Sequence, residues 1–197
     1  MVHSLNPDIS SLTALLNWLH PLPPEIVGFL QDKTSYRQVR KGKMLVRSGE
    51  VCHHLYFIKK GAIRGFIKDE EKDITTWISI DNEVVTSISG LNDKAPSIEN
   101  IQAIEHADLM IISHDDLETL YRDYLEFNIV GRKLLQRYYQ DAEARAFIAR
   151  IPGTENKYQH FVKNYPHLIN RIPIKYIASF LGVTLETLSR VRKRISG

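Results

Sequence analysis

The side chains with the clearest chemical potential lie near the carboxyl end of the sequence. Arg190 can donate two hydrogen bonds to O6 and N7 of guanine in the major groove of DNA, and Glu186 can accept one from N4 of cytosine. Ser189 can bond a base edge or a phosphate. Because residues spaced by three and four share one face of a helix, we expect the three side chains to read base edges together.

A second group of polar residues would contact the DNA backbone or support the reading helix; its members are Thr184, Thr187, Arg192, Lys193, Arg194 and Lys175. The basic members can neutralise phosphates without reading sequence. Residues 171–197 contain six basic residues and one acid, a net charge of +5, whereas the whole chain has +3, so the remainder has −2. This asymmetry indicates a polyanionic partner for the basic segment.

The same segment has the pattern of a helix-turn-helix. That motif needs a small residue in its first helix, a glycine with positive φ in the turn, and apolar residues that hold the helices together. Ala178 and Gly182 suit the first two positions, and Val183 and Leu188 are among the apolar contacts. Thr184 is a suitable N-cap for the second helix. The alternative is an ordinary helical hairpin with a solvated basic face.

The elements that must position this motif begin with a β-rich block over about residues 36–113. Its apolar and β-branched runs are mostly four to eight residues long and separated by turn residues, which is typical of an antiparallel sandwich or barrel. The runs are Met44–Val46, Leu55–Ile58, Ala62–Ile67, Ile74–Ile80, Glu83–Ser89, Ile98–Ile104 and Leu109–Ile112. We predict an all-β roll of the jelly-roll type, preceded by helices over Leu12–Trp18 and from Glu25 to Gln31, and an α+β fold overall.

A long helix is predicted after the roll, over about residues 117–150. One stripe of it would be apolar; its residues are Phe127, Val130, Leu134, Tyr138 and Ala142. This stripe either packs on the chain's own roll or also pairs with its twin in a homodimer. Pro152-Gly153 marks the end of the helix. We therefore expect one domain over residues 1–150 and a small helical domain over residues 151–197.

Several classes of function are excluded by composition. The one cysteine, Cys52, is too few for a disulfide framework, a Cys-rich zinc site or an iron–sulfur cluster, and a reducing cytoplasm fits it best. On a strand only Cys52 and His54 could share a metal ion, and a packed or surface cluster is the simpler interpretation. The sequence has no Gly-x-Ser-x-Gly nucleophile elbow, no P-loop and no glycine-rich dinucleotide-binding turn. We therefore expect that the protein is not an enzyme and that it binds no cofactor and no metal. We also expect no membrane contact.

The quoted residues resemble those of a known family. The stretch from Ile177 to Lys193, with the roll and the long helix before it, is similar to the Crp/Fnr family of bacterial transcription regulators over nearly the whole chain. Glu186, Ser189 and Arg190 fall on that family's Glu-x-x-Ser-Arg reading positions. The resemblance implies a cyclic-nucleotide-binding-like effector domain, a dimerisation helix and a C-terminal DNA-binding domain. It also implies a homodimer on an inverted repeat of a TTGAT-like half-site, with RNA polymerase as a further partner.

One departure from the family concerns the effector. The stretch that matches the phosphate cassette has Pro96 where cyclic-nucleotide-responsive members have an arginine. A buried cyclic phosphate would lose its charge partner there, so we expect no response to cyclic AMP. The effector is then an unidentified small molecule or is absent. The candidate pocket residues are Ser87, Ser89, Gly90, Pro96 and Ser97.

A second departure is that no wing hairpin follows the second helix in this sequence. Because wing contacts are largely to the backbone, we expect this to lower DNA affinity more than sequence preference. The alternative function is a β-roll ligand sensor that acts through protein–protein contacts, with weak or non-specific DNA binding. For the effector site, Lys94 as a substitute cation and a haem held by Cys52, His53 or His54 are the remaining alternatives.

Overall fold

The computed structural model of the chain describes residues 7–196, in which an antiparallel β-roll is preceded and followed by helices. The strands are β1 (Ser35–Val39), β2 (Met44–Val46), β3 (His54–Lys60), β4 (Ile63–Asp69), β5 (Lys72–Ser79), β6 (Val84–Val85), β7 (Asn100–Ala103) and β8 (Ala107–Ser113). The helices in these residues are α1 (Ser10–Leu19), α2 (Pro24–Lys33), α3 (Ile88–Asp93), α4 (His114–Asp123), α5 (Leu125–Arg150), α6 (Thr154–Asn164), α7 (Pro166–Ile169), α8 (Ile174–Phe180) and α9 (Leu185–Ser196). The predicted α+β class, with its roll, long helix and C-terminal helices, is confirmed.

Two four-stranded sheets form the roll, in the orders β1-β8-β3-β6 and β2-β7-β4-β5. In the first sheet Met110 on β8 faces Tyr36 on β1 and Phe57 on β3 across antiparallel pairs. Phe57 and its neighbour Ile58 point to opposite faces of β3, and both are buried. Both faces of this sheet are therefore covered, one by the interior of the roll and the other by helices.

The described residues divide into two compact units. The first comprises the residues up to Gly65 together with Ile78–Arg137, and the second comprises Phe66–Trp77 together with the residues from Tyr138 onward. The first unit contains most of the roll, with α1 and α2 burying Leu12, Leu16 and Leu30. This amphipathic burial explains why the short predicted helices form.

The second unit has an aromatic centre. The rings of Phe161 and Tyr165 on and after α6 lie with centroids 5.2 Å apart, and Phe180 at the end of α8 lies 5.6 Å from Phe161. Phe161 is fully buried. Helices α6 and α8 contain Phe161 and Phe180, and α9 packs against both helices, so this unit has an aromatic core of its own.

The predicted strand over Glu83–Ser89 is wrong in its extent. Only Val84 and Val85 are paired, and helix α3 begins at Ile88. Within α3, Gly90 lies so close to the preceding loop that a Cβ atom there would be 2.8 Å from the carbonyl oxygen of Cys52. This close approach joins residues 38 positions apart in the sequence, so local periodicity cannot indicate it.

The predicted continuous helix over residues 117–150 is also wrong, because it consists of α4 and α5. Tyr124 between them is extended, with φ −127° and ψ 94°. Asn128 donates a side-chain hydrogen bond to the carbonyl oxygen of Tyr121, which supports the end of α4. A Cβ at Gly131 would lie 2.5 Å from the Tyr121 ring, so this glycine permits α5 to pack closely on α4. In the described part of the chain, none of the helices has the length and apolar character needed to span a bilayer.

Candidate nucleic-acid interface

Helices α8 and α9 form a helix-turn-helix whose turn depends on Gly182. Its φ is +67°, a left-handed conformation that glycine adopts without a steric penalty. The N–H of Gly182 donates to the carbonyl oxygen of Ser179 at 3.1 Å, and the N–H of Val183 donates to that of Ala178 at 3.0 Å. These two bonds reverse the chain direction and bring α9 against α8.

The buried residues of this motif hold its two helices together. Ala178 is buried at the point where α9 packs on α8, and Leu188 is fully buried on α9. Val183 in the turn is half-buried. Lys157 on α6 donates its Nζ proton to the carbonyl oxygen of Leu181 at 3.3 Å, which places a cation at the negative end of α8. The motif is thus a fixed platform for the outer face of α9.

Thr184 caps the first turn of α9. Its Oγ1 accepts a hydrogen bond from the N–H of Thr187 at 3.2 Å, and the two hydroxyl oxygens are 2.9 Å apart. Thr187 is half-buried and occupied by this contact. Both threonines therefore stabilise the start of the helix, and Thr184 is also exposed to solvent.

Glu186, Ser189 and Arg190 lie together on the exposed face of α9. The pKa of the Glu186 carboxyl is held below its ordinary value, first by its own backbone N–H at the start of the helix, then by the Thr184 hydroxyl and the Arg190 charge. Glu186 is therefore ionised near neutral pH and acts as an acceptor only. The face offers one acceptor, one adaptable hydroxyl and one guanidinium fork, the donor and acceptor types that distinguish base edges.

The predicted phosphate contacts do not all lie on this face. Lys193 is exposed one turn after the three reading residues, while Arg192 is half-buried. Arg194 forms an ion pair with Glu155 on α6, and this contact joins the end of α9 to α6. Lys175 on α8 is exposed and its Nζ lies 4.9 Å from the centre of the Tyr176 ring, a cation–π contact.

Ser179 is a residue that the sequence did not single out. Its hydroxyl donates to the carbonyl oxygen of Asp73 at 2.6 Å and accepts from the N–H of Thr75 at 2.8 Å. Both partners are on strand β5, more than 100 residues earlier in the chain. One side chain thus connects α8 to the backbone of a strand in the same unit, and no local pattern could have indicated it.

The candidate effector residues form a closed cluster around α3. The hydroxyl oxygens of Ser87 and Ser89 are 3.1 Å apart, and Ser89 donates to the carbonyl oxygen of Pro96 at 3.4 Å. Ser97 donates to the carbonyl oxygen of Glu99 at 2.7 Å. The serine hydroxyls thus bond within their own loop, and Ser87 and Ser97 are buried there.

Lys94 is directed away from this cluster. It is highly exposed and pairs with Asp115, with 3.6 Å between Nζ and Oδ1. Cys52 is buried and donates its thiol proton to the carbonyl oxygen of His54 at 3.2 Å. Among the residues that the structure describes, no group of three or more histidine, cysteine, aspartate or glutamate side chains could hold a metal ion.

The predicted dimer residues lie in different environments along α5. Phe127 and Val130 are buried within the first unit, and Leu134 lines a cavity there. Tyr138 is half-buried, whereas Ala142 is exposed in the second unit. The first residues of the stripe therefore pack on the chain itself, and its later residues face solvent.

Comparison with known proteins supports the domain and the fold. Residues 36–124 match the sequence profile of the cyclic nucleotide-binding domain. A search of curated protein sequences finds no match to this chain. FixK2 from Bradyrhizobium japonicum is 17% identical, with 83% of this chain and 84% of that chain covered and a TM-score of 0.70.

Two further solved structures are similar over most of the chain. A CooA variant from Carboxydothermus hydrogenoformans is 16% identical, with 97% of this chain and 86% of that chain covered and a TM-score of 0.71. A regulator described as a member of the Crp/Fnr family, from Eubacterium rectale, is 18% identical, with 89% and 84% covered and a TM-score of 0.71. Residues 36–124 are therefore similar to the cyclic nucleotide-binding domain, and the chain shares its fold with these solved structures, one of which is described as a Crp/Fnr-family regulator.

Proposed function

We propose that this chain is a sequence-specific, DNA-binding regulator of transcription that reads the major groove with α9. The observation that supports this most directly is the exposed face on which Glu186, Ser189 and Arg190 lie together. Helix α9 has 12 residues, a length of about 18 Å at about 1.5 Å per residue. The major groove is about 12 Å wide and admits an α-helix.

The side chains of this face have separate tasks. Arg190 donates to guanine O6 and N7, and Glu186 accepts from cytosine N4, so these two specify sequence. Ser189 bonds a base edge or a phosphate. The flanking cations Lys193 and Lys175 neutralise phosphates on any sequence, whereas Arg194 must first leave Glu155 to do so.

The regulator binds DNA as a homodimer. On α5, Tyr139, Ala142 and Ala146 follow one another at three or four residues and all are exposed. Two small residues in this stripe allow a second helix to approach closely. A two-fold dimer would present two α9 helices, which requires an inverted repeat; a TTGAT-like half-site remains the sequence to test.

The effector domain does not respond to cyclic AMP. This proposal is supported by Pro96 in the place of the phosphate-binding arginine and by the serine hydroxyls that bond within their own loop. The division into an effector domain over 1–150 and a DNA-binding domain over 151–197, a cytoplasmic location, contact with RNA polymerase and the lack of catalysis belong to the same proposal.

A selection experiment tests the reading of sequence. The full chain is incubated with a pool of duplexes that contain a randomised 24-base-pair window, about two turns of DNA, at moderate salt. We expect enrichment of an inverted repeat, and we expect Arg190→Ala to remove enrichment at one guanine of each half-site. Arg132→Ala, which removes the same charge from an exposed position on α5, serves as the matched control.

Two outcomes contradict the proposal. Recovery of no preferred sequence at moderate salt would favour the alternative, a β-roll sensor that acts through protein contacts. Enrichment that Arg190→Ala and Arg132→Ala alter equally would show that α9 does not read the bases.

A further inference from the structure

The first unit contains an apolar cavity outside the roll. It lies between the outer face of the first sheet and helices α1, α2, α4 and α5. Leu55 and Phe57 on β3 and Met110 on β8 form its floor, and Leu16 and Val130 belong to its helical walls. The candidate effector residues around α3 are not among its lining residues, so this cavity is separate from the site that the family resemblance implies.

Thr34 is the anomaly in this cavity. It follows α2, it lines the cavity, and it is 5% exposed. Its Oγ1 atom is buried and has no hydrogen-bond partner among the described residues. A buried hydroxyl without a partner lowers stability, because it has given up its hydrogen bonds to water and gained none in return. Every other lining residue is apolar or glycine apart from Tyr121, whose ring packs against Gly131.

The cavity is larger than a water molecule requires but offers water few partners. Its volume is about 40 Å³, against about 10–15 Å³ for one water on the same measure. A buried water needs about two to four polar partners, and apolar cavities stay dry. An occupant with an apolar body and one oxygen atom would fill the space and satisfy Thr34 at the same time.

The geometry points to a binding site for a small, uncharged molecule with a short apolar chain and one hydroxyl or carbonyl oxygen, held by a hydrogen bond from Thr34. An engineered cavity of about 150 Å³ holds benzene, so an occupant of this cavity has only a few non-hydrogen atoms. Leu, Val, Met and Phe side chains line it, and these would contact the chain of the molecule. A charged group has no partner there and is excluded.

Two probes separate the apolar and polar parts of this inference. Xenon tests for an accessible apolar cavity, and ethanol, with three non-hydrogen atoms, adds one oxygen atom to a short apolar chain. Binding is followed on the full chain by methyl chemical shifts in nuclear magnetic resonance spectra. We expect saturable shifts confined to lining methyl groups with both probes.

Thr34→Val keeps the shape of the side chain and removes the hydroxyl. We expect it to weaken ethanol binding by about three- to tenfold, because one hydrogen bond is lost, and to leave xenon binding within about twofold. Without any probe the variant should melt about 2–4 °C higher, because the unpartnered hydroxyl is gone. Val84→Ile adds a methyl group to the lining of the cavity and leaves less space in it, so this variant should weaken the binding of both probes.

Three results would overturn the inference. The first is the absence of chemical-shift changes at the lining methyl groups with both probes, and the second is equal affinity of the wild type and Thr34→Val for ethanol. The third is a lower melting temperature for Thr34→Val, since this would mean that the hydroxyl already has a partner. If Thr34→Val does not fold, unchanged binding of both probes to Val84→Ile would still contradict the site.

Discussion

Arg190 and Lys193 have the same charge and lie three residues apart on the exposed side of α9, yet they differ in what they can recognise. The guanidinium of Arg190 is a planar fork that matches O6 and N7 of guanine, whereas the ammonium of Lys193 is a point charge with no preference among phosphates. If α9 binds DNA as proposed, we therefore expect Arg190 to contribute to sequence specificity and Lys193 to affinity.

Replacement of these two cations should give different losses. We expect Arg190→Ala to reduce the binding free energy for the selected site by about 1–3 kcal/mol, because a base contact is lost. The reduction for random duplex should be much smaller. Lys193→Ala should weaken binding to both duplexes equally. It should also reduce the dependence of log affinity on log salt concentration by about one released ion. Fluorescence anisotropy at several salt concentrations measures both effects. Equal losses on the two duplexes for Arg190→Ala would contradict a base-reading role.

His114 at the start of α4 provides a pH-dependent contribution to stability. It is buried, its backbone N–H donates to His53, and its ring Nε2 lies 3.4 Å from the Thr86 hydroxyl oxygen. Burial is the main cause that lowers the pKa of His114, and the charges of His54 and His53 lower it further. A hydrogen bond from the ring to the backbone carbonyl of His54 and the Asp115 charge oppose the shift. Burial also lowers the pKa of His54.

Stability should therefore fall as the pH drops below the ordinary histidine pKa of about 6.5. In that range His114 binds a proton in the unfolded chain but stays neutral in the folded chain. The free energy of unfolding therefore decreases as the pH falls, and it is fully recovered above the ordinary histidine pKa. We expect His114→Gln to make this decrease shallower in urea titrations from pH 7.5 to 5.5. His106→Gln, at an exposed position, is the control, and an equal slope in wild type and His114→Gln would refute the assignment.

The grouping of Glu186, Ser189 and Arg190 on one exposed face could be predicted because their arrangement is local. Glu186, Ser189 and Arg190 share a face by helical spacing alone, and the N-cap role of Thr184 depends on residues within the same turn. Ser179 and Thr34 could not be predicted in the same way. The partners of Ser179 are on β5, and the unpartnered state of Thr34 depends on helices and strands that are mostly distant from it in the sequence.

At the scale of elements, helices and strands were predictable where one face is buried and local signals mark the ends. Seven of the eight strands overlap the predicted runs, and α1, α2, α6 and α9 lie in predicted helical stretches. The break at Tyr124 and the start of α3 were missed because close packing causes both. Gly131 against Tyr121 and Gly90 against Cys52 are contacts between residues far enough apart that periodicity has no information on them.

The turn between α8 and α9 gives a prediction on stability. Gly182 has φ +67° and open space around the position of a Cβ, so alanine would be opposed by backbone conformation alone. We expect Gly182→Ala to lower the free energy of unfolding by about 1–2 kcal/mol. Gly28→Ala is the matched control, since Gly28 lies in α2 with equally open space around the position of a Cβ. This variant should raise the free energy of unfolding by about 0.4–1 kcal/mol. Urea unfolding followed by circular dichroism compares them, and similar changes of the same sign would contradict this reasoning.

At the scale of the whole molecule, we expect the proposed effector domain not to bind cyclic nucleotides. A ligand present at about 100 times its Kd would stabilise the fold by about 2.7 kcal/mol, which a melting curve detects. Because Pro96 supplies no cation, we expect no change in melting temperature with cyclic AMP or cyclic GMP. AMP is included to reveal any non-specific nucleotide effect. A shift with a cyclic nucleotide that AMP does not reproduce would contradict our interpretation of Pro96.

The proposed homodimer would link α5 to DNA recognition, because one α9 helix could read only one half-site. Ala142 is exposed within the stripe of Tyr139 and Ala146, and a charged side chain there would be buried without a partner in a close helix pair. We expect Ala142→Glu to give a monomer in analytical ultracentrifugation. Its affinity for the inverted repeat should fall to that for a single half-site, while half-site binding itself is unchanged. Asp141→Ala, a change at an exposed neighbouring position, is the control for effects on the helix. A dimer that survives Ala142→Glu would contradict this seam, and a monomer with undiminished affinity for the inverted repeat would contradict two-fold recognition.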